Sequence, residues 1–262
     1  MKSPVIALMT DFGQEDFFVA SIKGAILKIN PSVQIIDITH DIRSFDIKSA
    51  GFVLYSCYKF FPEKTIFLVV VDPGVGSLRR IILVQSHNYY YIAPDNGLLS
   101  LVLDSDEIKQ IREISNRKFF LAETGRTFDG RDKMAPVAAY LSQGVSCAEF
   151  GPPLKKYKKF KLRKPIVKDN EIIGNILYVD KFGNLITNIP TELLEKSKKE
   201  FYLVFGKRKI CNYAQSYSSV RRGRLLFLGG SLGLIEIAAR EESAAQKLGA
   251  ESGDEVRIII PP

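Results

Sequence analysis

Cysteine is scarce in this chain. There are three, Cys57, Cys147 and Cys211, an odd number with no CxxC spacing, which argues against a disulfide framework and against a cysteine metal site. Histidine is scarcer still, with only His40 and His87. No apolar run approaches the roughly 20 residues of a membrane span, and Asp11 breaks the N-terminal run VIALM before the core of a signal peptide can form. The expectation is a cytoplasmic protein with no membrane partner. The GxxxxGKS/T spacing of a phosphate-binding loop is missing, and no internal repeat is visible.

What is present is a 262-residue chain, 46% apolar, long enough for two modest cores. Its 37 Lys and Arg exceed its 29 Asp and Glu, giving a formal charge of +8, a balance that would suit an acidic partner such as nucleic acid. Much of the excess is local. The stretch LKKYKKFKLRKP, residues 154–165, carries seven cations and reads as a solvated linker or exposed edge rather than a nucleic-acid patch.

Residues 1–164, including that basic stretch near their end, read as an N-terminal α/β domain. PVIALMT, VQIIDIT and TIFLVVV are strands; GQEDFFVASIKGAILKIN and IKSAGFVLYSCYKFF have helical spacing. Continuous apolar strands separated by helices predict a largely parallel sheet covered on both faces. RIILVQS and YYYIAP form an added hairpin, and MAPVAAYLSQG a helix closed by Gly144. Residues 165–262 change texture. EIIGNILYVD, NLITNI, FYLVFG, RKICNY, RLLFLGG and DEVRIII are short strand-like runs, and GLIEIAAREESAAQKLG is the one plausible helix. This predicts a smaller, mainly β C-terminal domain.

Three strands of the first domain end in acids: Asp11 after the first, Asp37 and Asp41 with His40 around the end of the second, and Asp72 after the third. In a parallel α/β sheet the crevice beyond the carboxyl strand ends is where ligands bind. Any single aspartate there is more often a cap or a turn residue; together they favour a site. After Asp72, Pro73, Gly74 and Gly76 make a tight loop, and Arg79 lies where a hairpin-like return would bring its guanidinium back to the carboxylate. Arg80 is then the outward one of the pair. Asp95 and Asn96 in APDNGLLS read as a turn, TFDGRDKMAP as a helix start, and FGN in DKFGNLITNI as a hairpin turn.

The ordered set TDFG with Asp16 shortly after, DITHDI, VVVDPGVGSLRR, APDNGLLS, TFDGRDKMAP, DKFGNLITNI and GSLGLIEIAA resembles the S-adenosyl-L-methionine (SAM) hydroxide adenosyltransferases, or SAM hydrolases, relatives of fluorinase and chlorinase. The resemblance covers nearly the whole chain. It implies a homotrimer with intersubunit sites, in which water or hydroxide attacks the ribose 5′-carbon in line with the sulfonium and yields adenosine and L-methionine. SAM is then the substrate, with no cofactor and no metal expected, because the leaving group is already cationic.

By motif position the resemblance gives Asp11 to the ribose hydroxyls, and Asp16 and Asp180 to the methionine ammonium. Phe45, Phe182 and Tyr217 would wall the sugar, sulfonium and adenine, Asn184 would meet the adenine edge, and Ser231 would lie near the substrate carboxylate. Asp72 would hold the water and Arg79 would orient Asp72. The third catalytic position, a histidine in the family's TFHGRD, is Asp129 here. Three outcomes stay open: Asp129 shares a proton with Asp72, the enzyme is slowed, or the exchange is neutral. A slow or non-catalytic SAM- or adenosine-binding protein is therefore the alternative function, and a basic RNA-binding module a more distant one.

Overall fold

Val5–Thr10 (β1) is buried at every position, as a strand with apolar residues on both faces must be. The computed structural model describes residues 3–121, 127–161, 163–195 and 200–261, which divide into the units Met1–Lys161 and Leu162–Pro262. In the first unit the chain continues through α1 (Phe18–Ile29), β2 (Gln34–Thr39), α2 (Ile47–Cys57), β3 (Ile66–Val70), β4 (Ile81–Ser86), β5 (Tyr90–Pro94), α3 (Ser100–Ser105), β6 (Ile108–Glu113) and α4 (Ala135–Ser142). The strands form one sheet in the order β2-β1-β3-β5-β4-β6. Pairs from β2 to β5 are parallel, whereas β4 runs antiparallel to both neighbours.

Alternate residues of the central strands serve opposite cores. Ile6, Leu8, Leu68 and Val70 pack with Ile22 and Ile26 of α1 and Val137 and Leu141 of α4. Ala7, Met9, Phe67 and Val69 pack with Ala50 and Leu54 of α2 and Val102 and Leu103 of α3. The expected parallel sheet with an added hairpin is therefore observed. β6 and α3 were not anticipated. DEIKQIRE is too charged to read as a strand, yet at the sheet edge only one face needs apolar cover: Ile111 is buried while its neighbours Gln110 and Arg112, which point to the other face, are only half-buried.

The second unit contains β7 (Ile166–Lys168), β8 (Glu171–Val179), β9 (Leu185–Pro190), α5 (Glu192–Glu195), β10 (Tyr202–Phe205), β11 (Arg208–Ile210), β12 (Leu225–Gly229), β13 (Leu234–Ala239), α6 (Ala244–Leu248) and β14 (Glu255–Ile259). Its sheet is antiparallel, in the order β11-β10-β14-β8-β9-β13-β12, with β7 also paired to β8. One core gathers Ile172, Leu185, Leu203, Phe227, Ile235, Ile237 and Ile258.

The helix expected over GLIEIAAREESAAQKLG is a correction. Its first half is β13, a strand between β9 and β12; only the second half, α6, is helical, starting where the Ser243 side chain accepts the Gln246 N–H. Ile235 and Ile237 face the main core and Ala238 packs with Leu226 and Leu228 on the other side. With both faces covered, the alternation that marks a strand is absent from the sequence. The basic stretch is also less free than a linker. Leu154 N–H donates to the Ile111 carbonyl, Lys158 N–H to Asp95 Oδ1 and Phe160 N–H to Ser100 Oγ, so residues 154–160 are strapped to the first unit with their lysines exposed. No described helix is long and apolar enough to cross a membrane.

Candidate active site

Thr10 and Val70, the last residues of β1 and β3, are register partners, so Asp11 and Asp72 leave the sheet at the carboxyl ends of neighbouring parallel strands. Asp11 Oδ2 accepts the Phe45 N–H at 2.8 Å. Phe45 itself has φ 68° and an exposed ring, a left-handed conformation that is uncommon for an aromatic residue. Burial pushes the Asp11 carboxyl above its ordinary value; the Phe45 N–H opposes this and the charge of Asp72 adds to it.

The DPGVGSLR loop turns twice. Val75 N–H reaches the Asp72 carbonyl, and Ser77 N–H and Oγ both donate to the Gly74 carbonyl. Arg79 is thereby returned to Asp72, whose Oδ2 accepts from Nε at 2.7 Å and lies 2.5 Å from Nη2. The same Nη2 donates to Asp129 Oδ2 at 2.5 Å. All three side chains are nearly closed to solvent. Burial alone would lower the Arg79 pKa, but hydrogen bonds to the two carboxylates outweigh it and raise it.

Asp129 reaches this position because a π-helical turn, Gly130–Met134, precedes α4, a local widening that is frequent at functional sites. A Cβ on Gly130 would stand 2.9 Å from Val70 Cγ1, so glycine lets the turn close on β3. The other oxygen of Asp129 meets Lys133 Nζ at 2.7 Å. Two carboxylates are thus interleaved with two cations. The Arg79 guanidinium stands between Asp72 and Asp129, so each carboxylate faces a cation rather than the other carboxylate.

Neighbouring groups brace the cluster. Arg80 donates Nε and Nη2 to the buried Asp95, so it is half-exposed but paired, and Asn96 Nδ2 donates to the Val71 carbonyl at 2.9 Å. These roles go beyond the turn expected for Asp95 and Asn96. His40 lies elsewhere: its Nδ1 is 2.9 Å from Thr10 Oγ1 and its Nε2 3.1 Å from Asp37 Oδ1, so it fastens the ends of β1 and β2. Asp16 is exposed in the turn before α1.

The second unit holds a separate open cavity of about 600 Å³, lined by Asp180, Phe182, Asn184 and Tyr217 together with Glu241, Glu242 and Ser243. Asp180 builds the β8–β9 turn: Oδ1 accepts the N–H groups of Phe182 and Asn184 at 2.9 and 2.8 Å, and Oδ2 accepts Asn184 Nδ2 at 2.9 Å. Gly183 has φ 81° and lies so near Ser243 that a Cβ would fall 2.0 Å from its Oγ; no larger residue fits. Phe182 projects outward, 76% exposed. Tyr217 donates its hydroxyl to Glu236 Oε1 at 2.6 Å. Burial raises Glu236 above its ordinary value, with the Tyr217 hydrogen bond opposing and the Asp180 charge adding. Ser231 is exposed in the β12–β13 turn and does not line the cavity.

Comparison with known proteins decides the family. Residues 6–151 match the SAM hydroxide adenosyltransferase N-terminal domain and residues 174–257 the C-terminal domain. The chain belongs to the SAM hydroxide adenosyltransferase family. It is 32% identical to an (R)-S-adenosyl-L-methionine hydrolase of Salinispora tropica, over 98% of each chain. It is 31% identical to a protein of that name from Methanocaldococcus jannaschii, over 97% of this chain and 95% of the relative. A fluorinase of Actinoplanes sp. is 32% identical over 74% of each. Among solved structures, a conserved protein from Thermotoga maritima superposes with a TM-score of 0.91 at 39% identity, over 97% and 99% of the two chains.

Within this member of the family, the residues expected from sequence fall into two groups. Asp72, Arg79 and Asp129 are in direct contact, with Asp11 and Phe45 joined at the next strand end; Asp180, Phe182, Asn184 and Tyr217 share a cavity. Asp16 and Ser231 are not drawn into either group. Sequence reasoning missed Lys133 and Glu236. Lys133 lies four residues after Asp129, a helical spacing that could have signalled a pair, whereas Glu236 was hidden in the misread helix.

Proposed function

We propose that the protein hydrolyses SAM to adenosine and L-methionine by in-line attack of water or hydroxide on the ribose 5′-carbon. The observation that carries this reading is the Asp72–Arg79–Asp129 cluster at the carboxyl ends of the parallel strands, in a family whose similar relatives bear the SAM hydrolase name. Asp72 holds the nucleophilic water by hydrogen bonding, and Arg79 fixes Asp72. The departing sulfonium becomes a neutral thioether, so positioning and desolvation of the nucleophile do most of the work.

Asp11 takes the ribose hydroxyls, and Asp16 and Asp180 the methionine ammonium. Phe45, Phe182 and Tyr217 supply the apolar walls, and Ser231 meets the substrate carboxylate. One N–H of Asn184 Nδ2 is bonded to Asp180, which leaves Oδ1 to accept from the adenine amino group and the second N–H to donate to a ring nitrogen. The candidates divide between the two units, which supports the homotrimer with intersubunit sites that the resemblance implies. SAM is the substrate and no cofactor enters the scheme.

Pure protein incubated with SAM should release adenosine and methionine in equal amounts above a no-enzyme control, with or without chelator. Asp72→Asn should slow this by about 100-fold or more, as loss of a positioned acid–base group does. A second reading, slow or non-catalytic binding of SAM or adenosine, is favoured by one feature: both oxygens of Asp129 are held by cations, so it is poorly placed to take a proton from water. Stoichiometric adenosine binding with no product formation would support that reading and end the first.

A further inference from the structure

Lys133 stands outside every role assigned so far, yet it completes the charge balance of the cluster. Asp129 is 4% exposed, and its two oxygens meet Arg79 Nη2 at 2.5 Å and Lys133 Nζ at 2.7 Å. Arg79 must also serve Asp72 through the same Nη2. One guanidinium between two buried carboxylates leaves a net negative charge, and Lys133 cancels it. Among the described residues, the other charged groups nearby give no such help. Asp11 adds negative charge beside Asp72, and Arg131 is turned to Asp132.

An ion pair between two exposed side chains is worth little. Here only the lysine is partly exposed, while its partner is buried, and removing one member of such a pair leaves an uncompensated charge in a poorly hydrated place. Lys133 lies in the turn that follows Asp129, four residues on, and meets Oδ1 while Arg79 meets Oδ2, so the carboxylate is gripped between two cations.

We propose that Lys133 is a positioning residue for the hydrolysis. Its ammonium holds the Asp129 carboxylate in the orientation that clamps Arg79, and Arg79 in turn fixes Asp72. The inference rests on Asp72 and Arg79 forming the nucleophile end of the site.

The test compares the full-length parent with Lys133→Met and Lys133→Arg, each checked for folding by circular dichroism. Lys133→Met should lower kcat for SAM hydrolysis by about 10-fold, the scale of a slightly misplaced catalytic group, with little change in KM, and Lys133→Arg should restore most of the loss. In protein labelled with ¹⁵N-arginine, the Arg79 Nε proton should exchange slowly with solvent in the parent and in Lys133→Arg, and faster in Lys133→Met. In an Asp129→Asn background, Lys133→Met should add no further loss, because no carboxylate charge remains to be balanced. Parental kcat and exchange in Lys133→Met, or a Lys133→Arg as impaired as Lys133→Met, would overturn the proposal. If the parent itself releases no adenosine, the hydrolase reading fails while the exchange comparison still decides whether Lys133 holds the clamp.

Discussion

At Asp129 a histidine would change what the cluster can do. An imidazole there would lie between Arg79 and Lys133, two cations that favour its neutral form, and a neutral ring nitrogen can accept a proton from water. The carboxylate, gripped at both oxygens, positions but does not relay. Asp129→His should therefore raise the single-turnover hydrolysis rate by about 10-fold or more, with adenosine affinity by calorimetry little changed. A rate unchanged or lower with binding intact would mean that the carboxylate already serves, and Asp129→Ala would show whether it serves at all. The sequence made the Asp72–Arg79 return legible because the intervening prolyl and glycyl residues announce a reversal. It could not reveal that Arg79 bridges to Asp129, fifty positions along the chain, since that depends on how α4 docks against β3.

Among the elements, the π-helical turn before α4 is the one on which the cluster depends. Gly130→Ala would gain up to about 1 kcal/mol of helix propensity, but its Cβ would enter the space of Val70 Cγ1, with Ile22 Cδ1 close behind at 3.4 Å. Val70 is buried in β3 and, being β-branched, has little rotamer freedom with which to yield. Overpacking should win, with a net destabilisation of about 1–3 kcal/mol by denaturant unfolding and a matching fall in activity as Asp129 is displaced. A more stable Gly130→Ala would refute the close approach.

In β13, Glu236 sets a second expectation. Its folded-state pKa is raised above the ordinary 4.5, chiefly by burial, so its contribution to stability is fully present below that value and is lost as pH rises through the raised one. Glu236→Gln removes the titration while keeping an acceptor for Tyr217. Melting curves from pH 3.5 to 8 should show the variant gaining on the parent as pH rises and then levelling; parallel curves would contradict this. That β13 and β6 escaped sequence reading has opposite causes: one strand is buried on both faces and loses its alternation, the other lies at an edge and tolerates charge.

For the whole molecule, the change of texture near residue 165 and the alternation of strands and helices before it were enough to anticipate a parallel α/β unit followed by a β unit. The resemblance named Asp72, Arg79 and Asp129 of the N-terminal cluster and Asp180, Phe182, Asn184 and Tyr217 of the C-terminal cavity, but not Lys133, Glu241, Glu242 or Ser243. Assembly is the expectation of the resemblance that a single chain does not display. If the homotrimer with intersubunit sites is correct, light scattering should give three times the chain mass, and mixing inactive Asp72→Asn and Asn184→Ala subunits under exchange should restore part of the activity. A monomer, or verified exchange without recovery, would remove that part of the account.

The central claim is that water attacks the ribose carbon, and the oxygen atom itself can report it. SAM turned over by the protein in ¹⁸O-labelled water should give adenosine carrying one ¹⁸O at the 5′-hydroxyl, read by mass spectrometry, together with unlabelled methionine. Adenosine no more labelled than the no-enzyme control, or label in methionine instead, would contradict the account.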